Sequence, residues 1–284
     1  GVSVGFELEG VLEPAKPTYV DAPGPLANGP DLSGNYSGVE DDPVAVAIID
    51  ANIGEGWLKE FAPEQELREF VGGEPIYSSF ACISKERADG TVKRRIISDS
   101  KKSGVSAASR KQYKAALPRQ TDLLDDCIKL IAGLQPGESV ELFVLDAENT
   151  YYQVPLRPEE RRYYCAKLTR PDGSTRFLVF LRTPQGSVGA PLSWAAIFGL
   201  ICRMTHSVRI DPVLPKSHKT EVYVDGPCMA IRGTPEVRRA QIACAVLSWA
   251  ALGVRLAFKK GQYGAAVDWI GAQSVSYTHL TLPT

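Results

Sequence analysis

The sequence predicts an α+β fold with antiparallel strands, and three observations support this prediction. Continuous β-prone runs alternate with segments of helical periodicity from about residue 120 onward. A strand-turn-strand pattern occurs in the second half of the chain. The chain has 284 residues, of which 44% are hydrophobic, and this is enough to bury a sizeable core. We therefore expect one large or two smaller globular domains.

Each predicted element follows from a local pattern of apolar, capping and turn residues. Thr121 and Asp122 open an amphipathic run that ends before Pro136, which is typical of a helix. The predicted elements are, in chain order, this helix, a buried strand over residues 140–145, a helix from Pro191 to about Val208, a hairpin of residues 221–224 and 228–232, a helix from Thr234 to Gly253, and strands over residues 254–258 and 267–270. From the buried strand onward the order is β-α-β-β-α-β, which fits a ferredoxin-like fold.

Composition divides the chain into three segments. Residues 1–59 are predicted to be a low-complexity or irregular lead-in, because Pro, Gly, Asp and Asn are frequent and periodicity is weak. Residues 60–273 carry the periodic patterns and are expected to form the folded part. Residues 274–284 resemble the translation of a sequencing adapter, so we expect an artefact there rather than native sequence.

Charge is unevenly distributed, although the net charge is only -1. Acidic residues dominate residues 1–84, whereas Lys and Arg dominate residues 85–119. A solvated basic face and a phosphate-binding surface both explain such a basic run. The charge pattern alone leaves both interpretations open.

Several classes of protein are disfavoured by composition. The cysteines and histidines show no zinc-ligand spacing, which favours a reducing compartment. No apolar run approaches the roughly 20 residues that span a bilayer, and the first residues do not form a signal peptide. We expect an intracellular protein with no membrane partner.

Two aspartates follow strands that are predicted to be neighbours. Asp146 comes directly after the buried strand, and Asp225 lies at the tip of the hairpin. Antiparallel neighbours bring such residues close together. Mg²⁺ prefers oxygen ligands, and nucleotidyl transfer uses two divalent ions about 3.5–4 Å apart. Asp146 and Asp225 are therefore candidate ligands for two Mg²⁺ or Mn²⁺ ions.

Three motifs occur in a fixed order around these aspartates. The first is VLDAENTYYQVPL over residues 144–156, the second is TPQG from Thr183, and the third is Tyr223-Val224-Asp225. Their order and spacing are similar to those of the reverse transcriptase palm, and their details are closer to retrotransposon than to viral enzymes. The chain thus resembles a retroelement reverse transcriptase over residues 60–273. This resemblance implies a right-hand polymerase with a ferredoxin-like palm and a fingers subdomain.

The resemblance also implies an activity and assigns roles to residues. The activity is RNA-directed DNA polymerisation, with a primer on an RNA or DNA template and deoxynucleoside triphosphates as partners. Asp146 and Asp225 are assigned to catalysis and metal binding, and Tyr151 to the floor beneath the deoxyribose, where its ring excludes a 2'-hydroxyl. Gln185 supplies an amide to the nucleotide, and Gly186 allows close backbone approach. Ordinary sheet packing is the alternative interpretation of Tyr151.

Basic and aromatic positions receive their roles in the same way. Arg95 is assigned to the triphosphate, because a guanidinium matches phosphate oxygens. The other assigned positions are Lys85 and Lys93 for the same phosphates, Lys259 for protonation of the departing pyrophosphate, and Trp269 and Gly271 for the primer grip. A solvated lysine and a core tryptophan are alternative interpretations of Lys259 and Trp269.

One position departs from the reverse transcriptase pattern. Gly226 stands where the family carries a second consecutive aspartate, which predicts impaired catalysis. Two alternatives stay open: a degenerate or domesticated relic that binds nucleic acid without catalysis, and a ferredoxin-like RNA-binding module. The RNA-binding module is expected to show an aromatic signature such as KGFGFV, and the sequence has none.

Overall fold

The computed structural model describes residues 13–14, 34–87, 90–109, 113–208 and 217–276. Its strands are β1 (Glu13–Pro14), β2 (Leu58–Phe61), β3 (Ser79–Glu86), β4 (Val92–Asp99), β5 (Tyr113–Lys114), β6 (Ser139–Val144), β7 (Cys165–Thr169), β8 (Thr175–Phe180), β9 (His218–Tyr223), β10 (Gly226–Gly233), β11 (Gln262–Gly264), β12 (Ala266–Trp269) and β13 (Ala272–Val275). Its helices are α1 (Pro43–Gly54), α2 (Glu64–Val71), α3 (Val105–Ala108), α4 (Gln120–Ile131), α5 (Ala190–Thr205) and α6 (Pro235–Ala251). Short 3₁₀ helices cover Thr150–Gln153, Pro158–Tyr163 and Phe258–Lys260.

The chain divides into two compact units. The first contains Pro14–Lys114 and Tyr151–Ser193, and the second contains Ala115–Thr150 and the chain from Trp194 onward. All strand pairs of the larger sheets are antiparallel, which confirms the predicted α+β class. Within the described residues, no helix is both long enough and apolar enough to cross a membrane.

The first unit is built on a three-stranded sheet and a long hairpin. The sheet has the order β2-β8-β7, and β3 pairs with β4 along its full length. The core of this unit includes the fully buried side chains of Leu58, Phe80 and Phe180. The rings of Trp57 and Tyr152 stack beside them with centroids 4.6 Å apart. Burial of these aromatic faces stabilises the unit through the hydrophobic effect.

Helix α1 corrects the predicted irregular lead-in over residues 1–59. The Asp42 side chain accepts a hydrogen bond from the backbone N–H of Val44 at 2.9 Å, and Pro43 occupies the first turn. Ala45 and Ile49 are fully buried, so this helix belongs to the core of the first unit. Local patterns do not indicate this helix, because its residues are apolar on most sides and show little amphipathic periodicity. Most of the earlier lead-in lies outside the described residues, as do residues 277–284 of the predicted artefact.

The second unit contains a four-stranded sheet with helices packed on it. The sheet order is β11-β6-β10-β9, and the elements follow the chain order β6, α5, β9, β10, α6, β11. Strand β10 is buried along nearly its whole length, because α4 and α6 both contact it. The Thr234 side chain caps α6, as the sequence predicts. Helices α4, α5 and α6 begin and end within a few residues of the predicted positions.

The last predicted strand of this sheet, over residues 254–258, is wrong. The chain there makes one isolated bridge, between Leu256 and Ala147, and then turns through the 3₁₀ helix that starts at Phe258. The backbone N–H of Ala257 donates to the carbonyl of Asp146 at 2.8 Å. Residues 254–258 are therefore held against the segment that carries Asp146. Strand β11 pairs with β6 and takes the place in the sheet that was predicted for residues 254–258.

Candidate active site

The register of two central strands brings Asp146 and Asp225 together. Val144 at the end of β6 lies opposite Cys228 near the start of β10. Beyond this pair, the backbone N–H of Ala147 donates to the carbonyl of Asp225 at 2.8 Å. The two aspartates therefore lie on facing segments at one end of the sheet, as the sequence predicts.

Both aspartates line one open cavity of about 490 Å³ in the second unit. The cavity is formed by the ends of β6 and β9, the start of β10, and the hairpin β12–β13. Its lining residues are Val144, Asp146, Tyr223, Asp225, Gly226, Lys260, Gln262, Asp268, Trp269 and Ile270. A concave site with convergent carboxylates is the kind of place where a charged substrate binds.

Lys260 is the basic residue that contacts the predicted catalytic carboxylate. Its Nζ lies 2.6 Å from Oδ2 of Asp146, in an ion pair that is partly exposed on both sides. Lys259, the residue assigned from the sequence, is exposed and is not among the lining residues. Both lysines belong to the 3₁₀ helix, where neighbouring side chains point in different directions. The sequence alone does not show which of these two adjacent lysines contacts Asp146, because this depends on the 3₁₀ turn.

Gly226 leaves open the position from which a further carboxylate would extend. A Cβ built on Gly226 would lie 3.2 Å from Oδ1 of Asp146. The side chain of any other residue at 226 would therefore start beside the Asp146 carboxylate. Among the described residues, the structure contains no group of three or more His, Cys, Asp or Glu side chains arranged to hold a metal ion.

The remaining donor set still suits magnesium. Mg²⁺ is usually bound by one or two carboxylates, together with water and substrate phosphates. Asp146 and Asp225 supply two carboxylates at the cavity, and the ammonium of Lys260 already lies against Asp146 as a cation would. The oxygen donors fit a hard divalent ion.

Of the two predicted primer-grip residues, Trp269 lines the cavity and Gly271 is not among its lining residues. Trp269 is buried, and its indole N–H donates to the carbonyl of Gly226 at 2.8 Å. Ile270 and Gly271 both have positive φ and form the tight turn between β12 and β13. Trp269 is thus a core residue that also lines the cavity. The core interpretation holds for Trp269, and its role as a primer grip stays a prediction.

In the first unit, the predicted phosphate-binding residues share one face of the β3–β4 hairpin. Lys85 lies directly opposite Lys93, and Arg95 follows two residues later on the same side. Arg94 points to the other side and pairs with Asp42. Like charges placed opposite each other repel, so this face favours a bound anion.

Asp99, four residues after Arg95, is engaged within the first unit. Its carboxylate accepts hydrogen bonds from the Tyr36 hydroxyl at 2.6 Å and from the backbone N–H groups of Lys101 and Lys102. Burial alone raises the pKa of Asp99, but these hydrogen bonds outweigh burial and hold the pKa below its usual value. Asp99 therefore orders the turn after β4.

The predicted nucleotide loop packs against the end of β4. The Gln185 carbonyl accepts from the backbone N–H of Ser98 at 2.9 Å, and the Gly186 carbonyl accepts from the Ser100 hydroxyl at 3.0 Å. Gly186 has φ of +101°, and a Cβ there would lie 2.1 Å from the Ser98 carbonyl oxygen. Only glycine fits this close approach to the end of β4, whereas the predicted approach to a nucleotide stays a prediction. Gln185 is half-buried and Gly186 is exposed.

The two tyrosines of the first motif have different environments. Tyr152 is buried in the core of the first unit, and burial raises its pKa to about 12. Tyr151 lies in the 3₁₀ helix Thr150–Gln153 and is half-buried. Tyr152 therefore has a packing role, whereas Tyr151 is only partly buried, and the alternative of sheet packing stays open for it.

Comparison with known proteins gives no match that bears on this site. No protein-family model matches the chain, and a search of curated proteins gives no match either. The functional argument therefore depends on the residues and their geometry.

Proposed function

We propose that the chain is the fingers and palm part of a retrotransposon-type reverse transcriptase whose catalytic site is impaired by Gly226. The observation that carries the proposal is the placement of Asp146 and Asp225 on facing segments of one cavity. Residues 79 apart in sequence converge there, in the motif order of that family. Two such carboxylates beside a lysine match the needs of phosphoryl transfer.

The architecture of the second unit supports the same proposal. Its strand order β11-β6-β10-β9 and its β-α-β-β-α-β chain order are those of a ferredoxin-like palm. The hairpin β3–β4 of the first unit corresponds to the fingers. In this assignment the cavity receives the primer end and the basic hairpin face receives phosphates.

Within the palm, Asp146 and Asp225 would hold divalent ions and Lys260 would serve the leaving group. Bound magnesium supplies charge neutralisation of the triphosphate and activation of the primer hydroxyl. The ammonium of Lys260, which lies beside Asp146, is placed to donate a proton to pyrophosphate as it leaves. We assign this role to Lys260 rather than to its exposed neighbour Lys259.

Residues of the first unit would bind and select the nucleotide. Arg95, with Lys85 and Lys93 on the same face, would contact the triphosphate through charge-assisted hydrogen bonds. Gln185, which is half-buried in the predicted nucleotide loop, would supply its side-chain amide to the nucleotide. Tyr151, which is only partly buried, would exclude a 2'-hydroxyl.

A second candidate function is favoured by Gly226 itself. A copy that lost this aspartate can persist as a relic that binds nucleic acid without catalysis. The basic face of the hairpin supports nucleic-acid binding in either case. The two candidates differ in whether the cavity still recognises a nucleotide together with a divalent ion.

A binding experiment separates the two candidates. Fluorescence anisotropy of a labelled RNA template with an annealed DNA primer measures complex stability with and without Mg²⁺ and the next complementary deoxynucleotide. We expect the nucleotide and Mg²⁺ together to slow dissociation, and Asp225→Asn to remove that effect while it preserves binding. Binding that never responds to nucleotide and Mg²⁺ identifies the relic. Absence of binding at low salt contradicts both candidates.

A further inference from the structure

Three successive carbonyl groups of the β9–β10 turn each accept a hydrogen bond from a different part of the second unit. The Val224 carbonyl accepts from the indole N–H of Trp194 at 2.8 Å. The Asp225 carbonyl accepts from the backbone N–H of Ala147 at 2.8 Å. The Gly226 carbonyl accepts from the indole N–H of Trp269 at 2.8 Å. The donors come from α5, from the segment after β6, and from β12.

Both tryptophans are held rigidly by burial. Trp194 is 2% exposed and stacks on Phe198 with ring centroids 4.9 Å apart. Trp269 is 3% exposed and packs in the cluster that covers β6 and β10. A buried indole has one polar atom, and that N–H needs an acceptor. The two indoles are therefore fixed donors aimed at consecutive residues of one turn.

The turn needs such support because its backbone is strained. Val224 has φ of +52°, a conformation that β-branched residues rarely adopt. Strain of this kind persists only where the surrounding structure enforces it, and it is concentrated at functional sites. The next residues are Asp225 and Gly226, and glycine adds backbone freedom where a carboxylate must be placed. The direction of the Asp225 side chain therefore depends on how the backbone of this turn is held.

We propose that Trp194 and Trp269 are positioning residues that hold the strained turn from both sides and thereby direct the Asp225 carboxylate into the cavity. This inference rests on the proposed function only for the consequence, which is cation binding at Asp146 and Asp225. The positioning itself is a property of the fold. The chain offers a matched control in Trp249, which is also fully buried and donates its indole N–H to the Thr205 hydroxyl at 2.9 Å, away from the turn.

Hydrogen exchange of the Ala147 amide tests the positioning directly. This amide is protected by the Asp225 carbonyl and so reports local opening of the turn. Trp194→Phe and Trp269→Phe each remove one N–H donor and keep an aromatic ring. We expect each to speed exchange of this amide about fivefold, which is the effect of losing one ordinary hydrogen bond. Trp249→Phe removes a comparable buried bond and should leave this amide unchanged.

A second measurement connects the turn to the site. Calorimetric titration with Mn²⁺ should show binding about fivefold weaker in Trp194→Phe and Trp269→Phe than in Trp249→Phe. Unchanged exchange in the first two variants, or equal acceleration in all three, overturns the inference. Faster exchange with unchanged Mn²⁺ affinity also overturns it, because the turn then does not direct the carboxylate. If the unaltered protein binds no Mn²⁺, the proposed function fails, and the exchange rates alone decide whether the tryptophans fix the turn.

Discussion

Asp146 is contacted by one cation and faces one vacant side-chain position. Lys260 lies 2.6 Å from one carboxylate oxygen, and a Cβ at position 226 would lie 3.2 Å from the other. The balance of charge at this carboxylate therefore depends on two residues that are distant in sequence. Lys260 neutralises Asp146, and Gly226 places no side chain beside the other carboxylate oxygen.

Removing Lys260 should strengthen divalent-ion binding at Asp146. The ion pair has to separate before Asp146 can bind a metal ion, and partly exposed ion pairs contribute roughly 0.2–1 kcal/mol. Lys260→Met should therefore raise Mn²⁺ affinity by up to about fivefold in a calorimetric titration. Lys259→Met is the matched control, since this neighbour is exposed and does not line the cavity. Equal effects of both changes would mean that only overall charge matters.

At the scale of elements, the β3–β4 hairpin separates its basic residues by face. Arg95 shares a side with Lys85 and Lys93, whereas the adjacent Arg94 is paired with Asp42 on the other side. Strand alternation produces this separation from consecutive residues. Lys85, Lys93 and Arg95 therefore form a basic surface on one side of the hairpin.

Replacing Arg95 should weaken nucleic-acid or triphosphate binding, and replacing Arg94 should not. Arg95→Gln removes one phosphate contact, which should reduce the salt dependence of primer-template binding by roughly one unit of slope. Arg94→Gln breaks the pair with Asp42 and should chiefly lower the urea midpoint of unfolding. Anisotropy titrations over a range of salt concentrations measure the first effect. A change of slope in both variants would contradict the division between faces.

Two acidic side chains, Asp126 on helix α4 and Glu221 on strand β9, lie next to each other. Burial, with the neighbouring carboxylate of Asp126 as the next cause, raises the pKa of Glu221 to about 7. Asp126 is itself buried and lies 3.5 Å from the ammonium of Lys219, and Asp122 adds further negative charge. The pair therefore favours one shared proton, and the docking of α4 depends on it.

The second unit should lose stability as pH rises from about 5 to 8. The folded pKa of Glu221 lies above its unfolded value, so the folded state binds the extra proton in this range. The stabilisation is complete below the unfolded pKa and is lost as pH rises through about 7. After discounting for solvent screening, the loss is on the order of 1 kcal/mol. Urea unfolding at pH 5 and at pH 8 measures this loss in the free energy of unfolding.

Glu221→Gln should remove this pH dependence and stabilise the protein at pH 8. Asp125→Asn is a suitable control, because this exposed acid of the same helix pairs only with Lys129 at the surface. The prediction is contradicted if the free energy of unfolding of Glu221→Gln still falls between pH 5 and 8 as it does in the unaltered protein.

At the scale of the whole molecule, the sequence predicted the elements with strong patterns. The strand before Asp146, the hairpin around Asp225 and the helices α4 to α6 follow from apolar periodicity, capping and turn residues. The convergence of the two aspartates follows from those strands. The motif predicted that Gly186 approaches a nucleotide, but it did not predict the close packing of Gly186 against the Ser98 carbonyl.

Other features depend on tertiary contacts that local patterns do not encode. Helix α1 is stabilised by burial in the first unit, and β11 is too short to show alternation. The choice of Lys260 over Lys259 is set by a 3₁₀ turn. The resemblance assigned Trp269 to the primer grip, with a core position as the alternative, and nothing in the sequence indicates which carbonyl the indole of Trp194 or Trp269 contacts.

The central claim is that Gly226 impairs a nucleotidyl-transfer site, and primer extension by Gly226→Asp tests it most directly. The measurement is the single-turnover rate of DNA primer extension on an RNA template with Mg²⁺. Gly226→Asn is the matched control, because it adds the same shape beside Asp146 without the charge. We expect Gly226→Asp to extend the primer roughly 100-fold faster than the unaltered protein, since metal-held charge stabilises such transition states by several kcal/mol. Gly226→Asn should stay slow, and Asp146→Asn should abolish the restored activity. Equal extension rates for the unaltered protein and Gly226→Asp would contradict the account.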